Sequence, residues 1–323
     1  MNITKTNIRV WSRLGMCGAY GQAMIDAQNL DDSIVACTAD LCTYSGLDRY
    51  KKLYPHKLYN VGIAEQNLIG IAGGLAKEGY NPFASTYASF ATTRALDQVK
   101  VNMGYMKLPI KLIGLTAGFS VGILGATHMA IEDIAIIRAI PNITIISPAD
   151  TTETYKTIMA LVGYKEPVYV RLTGTMMTPV VYSEDYEFEI GKSIVLREGT
   201  EAAIVAAGTM VARSLAAASM LECDGISVKV IDMHTIKPLD EMIMNELLKY
   251  KKIITVEEHS KIGGLGSALA EYISDKKESP QLLRIGIEDI FYHAGSYDFL
   301  LNKAGLTEKS IYKRIREFIK EEC

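Results

Sequence analysis

Residues 60–100 read NVGIAEQNLIGIAGGLAKEGYNPFASTYASFATTRALDQVK, and this stretch indicates the class of fold. Apolar residues at 68, 71, 72 and 75 recur at helical spacing, which predicts a helix over 65–79. The run 83–87 has the mostly apolar, β-rich composition of a buried strand, and a second helical pattern covers 91–103. Strands that alternate with helices over short connections are typical of a parallel sheet covered by helices.

The same alternation continues on both sides of this stretch. Before residue 173 it predicts further strands at 33–39, 110–116, 143–147 and 168–172, and helices at 129–139 and 151–164. Residues 173–190 combine Gly, Pro and an acidic cluster without a helical period, which indicates a linker. The alternation then restarts, with predicted strands at 202–208, 226–233, 252–258 and 282–287 and a last helix capped by Thr307.

The predicted fold is therefore α/β, with two doubly wound domains and largely parallel sheets. We place the first domain at residues 1–180 and the second at residues 181–323.

Composition argues against several classes of function. The 323 residues carry 34 Lys and Arg against 37 Asp and Glu, so no basic excess favours nucleic acid. No apolar run approaches the roughly 18 residues that cross a bilayer, and the first residues lack the apolar segment of a signal peptide. We therefore expect a cytoplasmic protein without membrane contact. Five scattered cysteines, with no histidine near Cys37 and Cys42, favour reduced thiols over a zinc site.

Two segments carry candidate chemistry. Glu65 falls in the first turn of a predicted helix, where the helix dipole favours a carboxylate, and an ordinary capping role is the alternative. Residues 118–128 place three glycines before His128 at a predicted helix start, and a capping or core histidine is the alternative there. Open α/β sheets bind ligands at the carboxyl ends of their strands, where both side chains are expected. The glycines at 263–266 fit a dinucleotide pattern only partly, so a tight turn is the better interpretation.

These segments resemble a known family. Residues 60–100 and GATHMAIEDIAIIRAIPNITIISPAD at 125–150 are similar to the pyrimidine-binding domain of transketolases. VIDMHTIKPLD at 230–240, EEHSKIGGLGSALAE at 257–271 and HAGSYDFLLNKAGLT at 293–307 resemble the transketolase C-terminal domain. A complete transketolase also has an N-terminal domain in which Gly-Asp-Gly and a later Asn hold Mg²⁺ and diphosphate. This sequence contains no Gly-Asp-Gly, so it resembles the C-terminal half of a split transketolase.

The resemblance implies thiamine diphosphate as cofactor, with Mg²⁺ or Ca²⁺ bound mainly by a partner subunit. Glu65 corresponds to the carboxyl group that hydrogen-bonds the pyrimidine ring, and it must be protonated or share a proton near neutral pH. Phe90 corresponds to the aromatic residue that stacks on the pyrimidine, and Tyr87 to a nearby aromatic position. Ile63 is also assigned to cofactor binding, and no metal ligand is assigned in this chain.

The implied substrate side departs from the family pattern. His128 corresponds to a catalytic position that contacts the sugar, and Arg171 to the arginine that binds the sugar phosphate. The family usually has Glu-Asp where this chain has Ile123-Leu124, and a further histidine where it has Thr116-Ala117. Leu124 cannot accept a hydrogen bond from a substrate hydroxyl. We therefore expect an intact cofactor half and an altered sugar half, suited to a modified sugar.

The resemblance thus predicts one subunit of a thiamine-dependent enzyme that transfers a two-carbon ketol unit between sugar substrates. Its expected partner is an N-terminal subunit with Gly-Asp-Gly, in an α2β2 heterotetramer. Two alternative enzymes are a deoxyxylulose-phosphate-synthase-like enzyme, normally one fused chain, and the beta subunit of a 2-oxo acid dehydrogenase. A regulatory partner subunit is the non-enzyme alternative, and the retention of Glu65, Phe90 and His128 argues against it.

Overall fold

The computed structural model of the chain describes residues 3–277 and 279–321, which form two sheets flanked by helices. The helices are α1 Lys5–Gln28, α2 Asp48–Leu53, α3 Glu65–Lys77, α4 Leu96–Val99, α5 Asp133–Arg138, α6 Thr151–Ala160, α7 Met210–Cys223, α8 Glu241–Leu247, α9 Leu265–Ser274, α10 Tyr297–Lys303 and α11 Glu308–Lys320. The strands are β1 Ile34–Thr38, β2 Leu58–Asn60, β3 Asn81–Tyr87, β4 Lys111–Ala117, β5 Thr144–Ile146, β6 Val168–Thr173, β7 Ile194–Arg197, β8 Ala202–Ala206, β9 Val228–Asp232, β10 Thr235–Lys237, β11 Lys252–Ser260 and β12 Gln281–Ile287.

The two sheets are mostly parallel, which confirms the predicted α/β class. The seven-stranded sheet has the order β10-β5-β6-β4-β3-β1-β2, and the five-stranded sheet has the order β12-β11-β8-β9-β7. Strands β10 and β7 pair antiparallel with β5 and β9, and the other pairings between the strands of the described residues are parallel. These antiparallel edge strands are three and four residues long, too short for a period in the sequence.

Strand β10 links the two halves of the chain. It follows the predicted linker in sequence, yet Thr235 pairs with Ile146 in the seven-stranded sheet. The Ser147 amide also donates to the His234 carbonyl at 2.7 Å. The second half of the chain therefore completes the edge of the first sheet, and backbone hydrogen bonds hold the two sheets' domains together.

Residues after β6 up to 190 form neither helix nor strand, which agrees with the linker prediction. This linker is nevertheless fixed to both domains. Asp150, the N-cap of α6, accepts hydrogen bonds from the amides of Val181 and Tyr182 at 2.8 and 2.9 Å. The Tyr182 hydroxyl donates to Asp232 at the end of β9, at 2.7 Å. Hydrogen bonds therefore hold the linker in a fixed position between the two domains.

Two carboxyl groups are buried beneath this linker. Glu153 of α6 accepts hydrogen bonds from the Ala149 amide at 2.7 Å and the Tyr186 hydroxyl at 3.0 Å. Burial raises the pKa of Asp232 to about 7 and, with the charge of Asp232, raises the pKa of Glu153 well above its usual value. The other titratable groups that act on the pair are Asp150, Tyr182 and Tyr186, and the Lys156 ammonium over the Tyr186 ring pairs with Asp185 instead.

This carboxyl pair predicts a chain that is more stable in mild acid than at pH 8. Folding raises the pKa of both groups, so the stabilisation is complete below about pH 4, and the part that comes from Asp232 is lost as the pH rises through about 7. The free energy of unfolding should fall by roughly 2–4 kcal/mol over that range. Asp232→Asn should flatten the pH dependence of the melting temperature, whereas the exposed Asp97→Asn should not. An unchanged slope in Asp232→Asn would contradict the assignment.

The membrane question has a direct structural answer within the described ranges. None of the helices placed between residues 3 and 321, residue 278 aside, is long and apolar enough to cross a bilayer.

Candidate active site

The candidate site lies at one edge of the seven-stranded sheet. Strands β2 and β3 both pair in parallel with β1, and β4 pairs in parallel with β3, so the carboxyl ends of these strands meet at that edge. Glu65 lies in the segment after β2, Tyr87 is the last residue of β3, and the loop 118–128 follows β4. The topology therefore places three distant sequence segments beside one another.

Glu65 is the first residue of α3, and its side chain is 97% buried, with 3% exposed. A buried carboxylate is costly without a partner. The partner is Arg94, whose Nη1 donates to Glu65 Oε1 at 2.8 Å while its own side chain is 47% exposed. The surroundings of Glu65 therefore include a cation, Arg94, that the sequence analysis did not predict.

An aromatic cluster forms beside Glu65. The ring centroids of Phe90 and His128 lie 5.1 Å apart, and Tyr87 lies 5.9 Å from Phe90 and 5.6 Å from His128. All three pairs meet edge to face, a favourable arrangement for aromatic rings. The Arg94 guanidinium carbon lies 4.0 Å from the Phe90 ring centroid. Four of the predicted site residues are thus brought together, with Arg94 touching two of them.

The backbone around Phe90 departs from the predicted helix over 91–103. Residues Phe90–Arg94 and Lys100–Tyr105 form π-helical turns on either side of α4. Such turns are frequent at functional sites. Arg94 follows Phe90 by four residues, a spacing that places side chains on one face of a helix and could have indicated their contact.

Two loops border the site, residues 61–64 and 118–128, and we call them the two site loops. Three of their apolar side chains are exposed to solvent. Ile63 is 76% exposed just before Glu65, and Ile123 and Leu124 are 73% and 48% exposed in the loop before His128. Leu124 belongs to the short 3-10 helix Gly122–Leu124. Exposed apolar groups beside a polar site often mark a surface that another molecule covers.

His128 lies in a turn, not at the start of a helix as predicted. Helix α5 begins at Asp133, shorter than the predicted 129–139, because an isolated bridge pairs Ala130 with Gly118. This pairing holds the chain extended before the helix, with the Gly118 amide donating to the Ala130 carbonyl at 2.8 Å. His128 Nδ1 lies 3.0 Å from the Thr127 hydroxyl.

The loop 118–128 is anchored by the second domain. Glu258 of β11 accepts hydrogen bonds from the Phe119 amide at 2.7 Å, the Thr209 hydroxyl at 2.7 Å and the Tyr297 hydroxyl at 2.6 Å. Gly118 has φ +65°, and a Cβ there would lie 2.2 Å from Glu258 Oε1. The close approach therefore requires glycine, and Glu258 is a positioning residue that the sequence did not reveal.

Arg171 does not face the candidate site as a free cation. Its side chain is 3% exposed, and its Nε donates to Asp133 at 2.8 Å. Its Nη2 donates to the carbonyls of Ala130 at 3.1 Å and Glu258 at 2.9 Å. Because these internal contacts occupy the guanidinium, the geometry gives no support to its predicted role in binding a sugar phosphate. Arg171 instead joins α5, the loop end and β11.

The glycine segment at 263–266 holds a carboxylate of its own chain. Glu257 accepts hydrogen bonds from the amides of Leu265 and Gly266 at 2.7 and 2.8 Å, at the N-terminus of α9. A Cβ at Gly264 would lie 2.0 Å from Glu257 Oε2. Burial raises the pKa of Glu257 to about 7. The place that a phosphate would take is filled, which confirms the tight-turn interpretation.

Two family models match successive parts of the chain. The pyrimidine-binding domain of transketolase matches residues 13–178, and the transketolase C-terminal domain matches residues 191–311. The chain belongs to the transketolase family. As predicted, this transketolase chain is a transferase subunit with the extent of a C-terminal section, and its family implies thiamine diphosphate as cofactor.

Individual relatives resemble this transketolase chain over nearly its full length. A protein assigned as a transketolase C-terminal section in Methanocaldococcus jannaschii is 41% identical over 95% of this chain and 97% of that protein. A 6-deoxy-6-sulfo-D-fructose transketolase subunit of a Clostridium species is 38% identical over 92% of each. A solved structure described as a split gene transketolase, inactive β4 tetramer, has a TM-score of 0.85 at 38% identity, covering 94% of this chain and 97% of that one.

Proposed function

We propose that this chain supplies the pyrimidine half of a thiamine diphosphate site, and that a partner subunit with Gly-Asp-Gly supplies the half that holds Mg²⁺ and diphosphate. One observation carries the proposal. The planar guanidinium of Arg94 touches the Glu65 carboxylate and the Phe90 ring at once, so a planar ring can reach both groups. Within the described ranges, no group of three or more His, Cys, Asp or Glu is placed to hold a metal ion.

The proposed chemistry divides between the cofactor and this chain. Bound thiamine diphosphate supplies a nucleophilic thiazolium carbon for two-carbon transfer. Glu65 would hold a proton at the pyrimidine ring nitrogen, and Phe90 would stack on the ring. Tyr87 and His128 pack edge to face on Phe90, so they would fix the ring that carries the stack. His128 also borders the loop in which Leu124 is exposed, which favours a contact with the sugar.

The assembly that completes the site would be an α2β2 heterotetramer. The similar split-gene protein is described as an inactive tetramer of β chains alone, which favours a β chain that needs a second type of subunit. In this chain, the exposed apolar side chains at Ile63 and Ile123 lie in the two site loops, where a partner would cover them.

Reconstitution tests the proposed function. We expect the isolated chain to lack turnover and tight Mg²⁺-dependent thiamine diphosphate binding, and we expect both to appear after an N-terminal subunit with Gly-Asp-Gly is added. The products should show two-carbon transfer between sugars. Release of CO₂ from a 2-oxo acid would instead favour the synthase or the dehydrogenase, and no turnover in an assembled complex would favour a regulatory subunit. Tight cofactor binding by the isolated chain would contradict the proposal.

We propose that the donor substrate is a sugar phosphate or a modified sugar that places a deoxy or otherwise apolar carbon near Leu124. A substrate hydroxyl buried against this side chain would lack an acceptor, which costs about 1–3 kcal/mol, or roughly 5- to 150-fold in specificity. A similar protein is named for 6-deoxy-6-sulfo-D-fructose, and this name supports a modified sugar as the substrate.

A donor panel on the assembled enzyme tests this choice of substrate. Xylulose 5-phosphate and fructose 6-phosphate should be poor donors for the native enzyme, with a deoxy sugar better by roughly 5- to 150-fold. Leu124→Asp should move the preference toward the hydroxylated donors. Met242→Asp is the control, since Met242 is 70% exposed in α8, outside the loops of the site. Normal kinetics with both ordinary donors, or an unchanged preference in Leu124→Asp, would refute the substrate proposal.

A further inference from the structure

Arg94 makes the two contacts that the proposed function assigns to the cofactor's pyrimidine ring. Its guanidinium is a planar, hydrogen-bonding group that lies 4.0 Å from the centroid of Phe90. The same group donates to Glu65 Oε1 at 2.8 Å. Planar cations stack on aromatic faces much as rings do. In the free chain, Arg94 therefore contacts both side chains that the pyrimidine would contact: Phe90, on which the ring would stack, and Glu65, to which it would hydrogen-bond.

The ion pair between Arg94 and Glu65 has a physical reason in the free chain. Glu65 is 97% buried, with 3% exposed, and a buried carboxylate without a counter-charge destabilises a protein. Arg94 supplies that charge. Its side chain is 47% exposed, so it can leave for solvent without crossing packed structure. Its backbone lies at the end of the π-helical turn Phe90–Arg94, where the Gln66 side chain donates to its carbonyl at 3.3 Å.

The geometry points to Arg94 as a placeholder that closes the pyrimidine site until the cofactor displaces it. This inference rests on the proposed function, because it takes Glu65 and Phe90 as the pyrimidine's partners. The guanidinium and the ring compete for Glu65 Oε1 and for the Phe90 face. Cofactor binding must therefore break the Glu65–Arg94 ion pair, and the apparent affinity is lowered by the fraction of chains in which Arg94 is in place.

The test compares Arg94→Met with the wild type in the assembled complex, using thiamine diphosphate with Mg²⁺ as the titrant in calorimetry. Methionine keeps an apolar chain of similar length and removes the charge. Arg49→Met is the matched control, because Arg49 is an exposed arginine whose guanidinium donates to Gln22 at 3.0 Å. Arg94→Met should tighten cofactor binding about 3- to 30-fold, the range over which an ion pair and a cation–π contact together bias a two-state equilibrium. Arg49→Met should leave the affinity unchanged.

A second measurement needs no cofactor. In the isolated chain, Arg94→Met leaves the buried Glu65 carboxylate without its counter-charge, so the melting temperature should fall by a few degrees while that of Arg49→Met does not. Weaker or unchanged cofactor binding in Arg94→Met, with normal binding in the wild type, would contradict the inference that Arg94 is a placeholder and leave the proposed function intact. So would an unchanged melting temperature. A wild-type complex that binds no thiamine diphosphate would overturn the proposed function and the placeholder together.

Discussion

Replacing Glu65 by Gln in the assembled enzyme should lower turnover by roughly 10²–10⁴, the usual contribution of a positioned proton-transfer group. A carboxamide keeps an acceptor for Arg94 but cannot exchange a proton with the pyrimidine ring. The folded chain should survive the change, because the buried side chain of Glu65 is replaced by one of nearly equal size. The measurement is turnover at saturating cofactor, with the unfolding of the same preparation as a check on structure.

A second helix-start glutamate serves as the control for Glu65. Glu241 is in the first turn of α8, is exposed and lies in the other domain. Glu241→Gln should leave turnover within about twofold, since a first-turn carboxylate contributes only about 0.3–1 kcal/mol to helix stability. If Glu65→Gln keeps near-normal turnover, Glu65 is only a counter-charge for Arg94 and its catalytic assignment fails.

Replacing Asp133 by Ala should lower the free energy of unfolding by about 3–5 kcal/mol. Asp133 is fully buried and accepts hydrogen bonds from Arg171 at 2.8 Å and from the Tyr169 hydroxyl at 2.7 Å. Its loss leaves the buried guanidinium of Arg171 without a counter-charge. Because Arg171 also holds the Ala130 and Glu258 carbonyls, the loop that carries His128 should loosen, and turnover should fall with stability.

An ion pair with one exposed partner provides the comparison for Asp133. Arg138 of α5 pairs with Glu271 at 2.6 Å, and Glu271 is 67% exposed. Glu271→Ala should cost no more than about 1 kcal/mol in urea unfolding. The double variant Asp133→Leu/Arg171→Met should recover part of the lost stability, because apolar side chains often replace a buried ion pair without cost. Equal losses for Asp133→Ala and Glu271→Ala would refute the interpretation.

The sequence by itself predicted the α/β class and most parallel strands. Buried parallel strands such as β4 and β6 are almost wholly apolar, and helices such as α3 repeat their apolar residues at a fixed spacing. Both signals are local, so they survive without knowledge of the fold. Helix α1 was not predicted, because Gly15, Gly18 and Gly21 interrupt its helical pattern. Gly15 has φ +76° within it.

The family motifs in the sequence also pointed to Glu65, Tyr87, Phe90 and His128 as one site, which remains a prediction of function. The structure places these side chains in one cluster, since β2, β3 and β4 end at a common edge. Local patterning was enough here because Tyr87 ends β3 and the other three residues lie in segments that follow a strand, and parallel strands bring their ends together.

Only the tertiary structure decided which way the charged side chains turn. Arg171 directly follows an apolar strand segment in sequence, yet its guanidinium points inward to Asp133 and to a carbonyl 87 residues away. Glu258 accepts from an amide 139 residues away. Arg94 turns back onto Glu65, 29 residues earlier. Such contacts have no sequence period, because they depend on how separate elements pack and on which buried charge needs a partner.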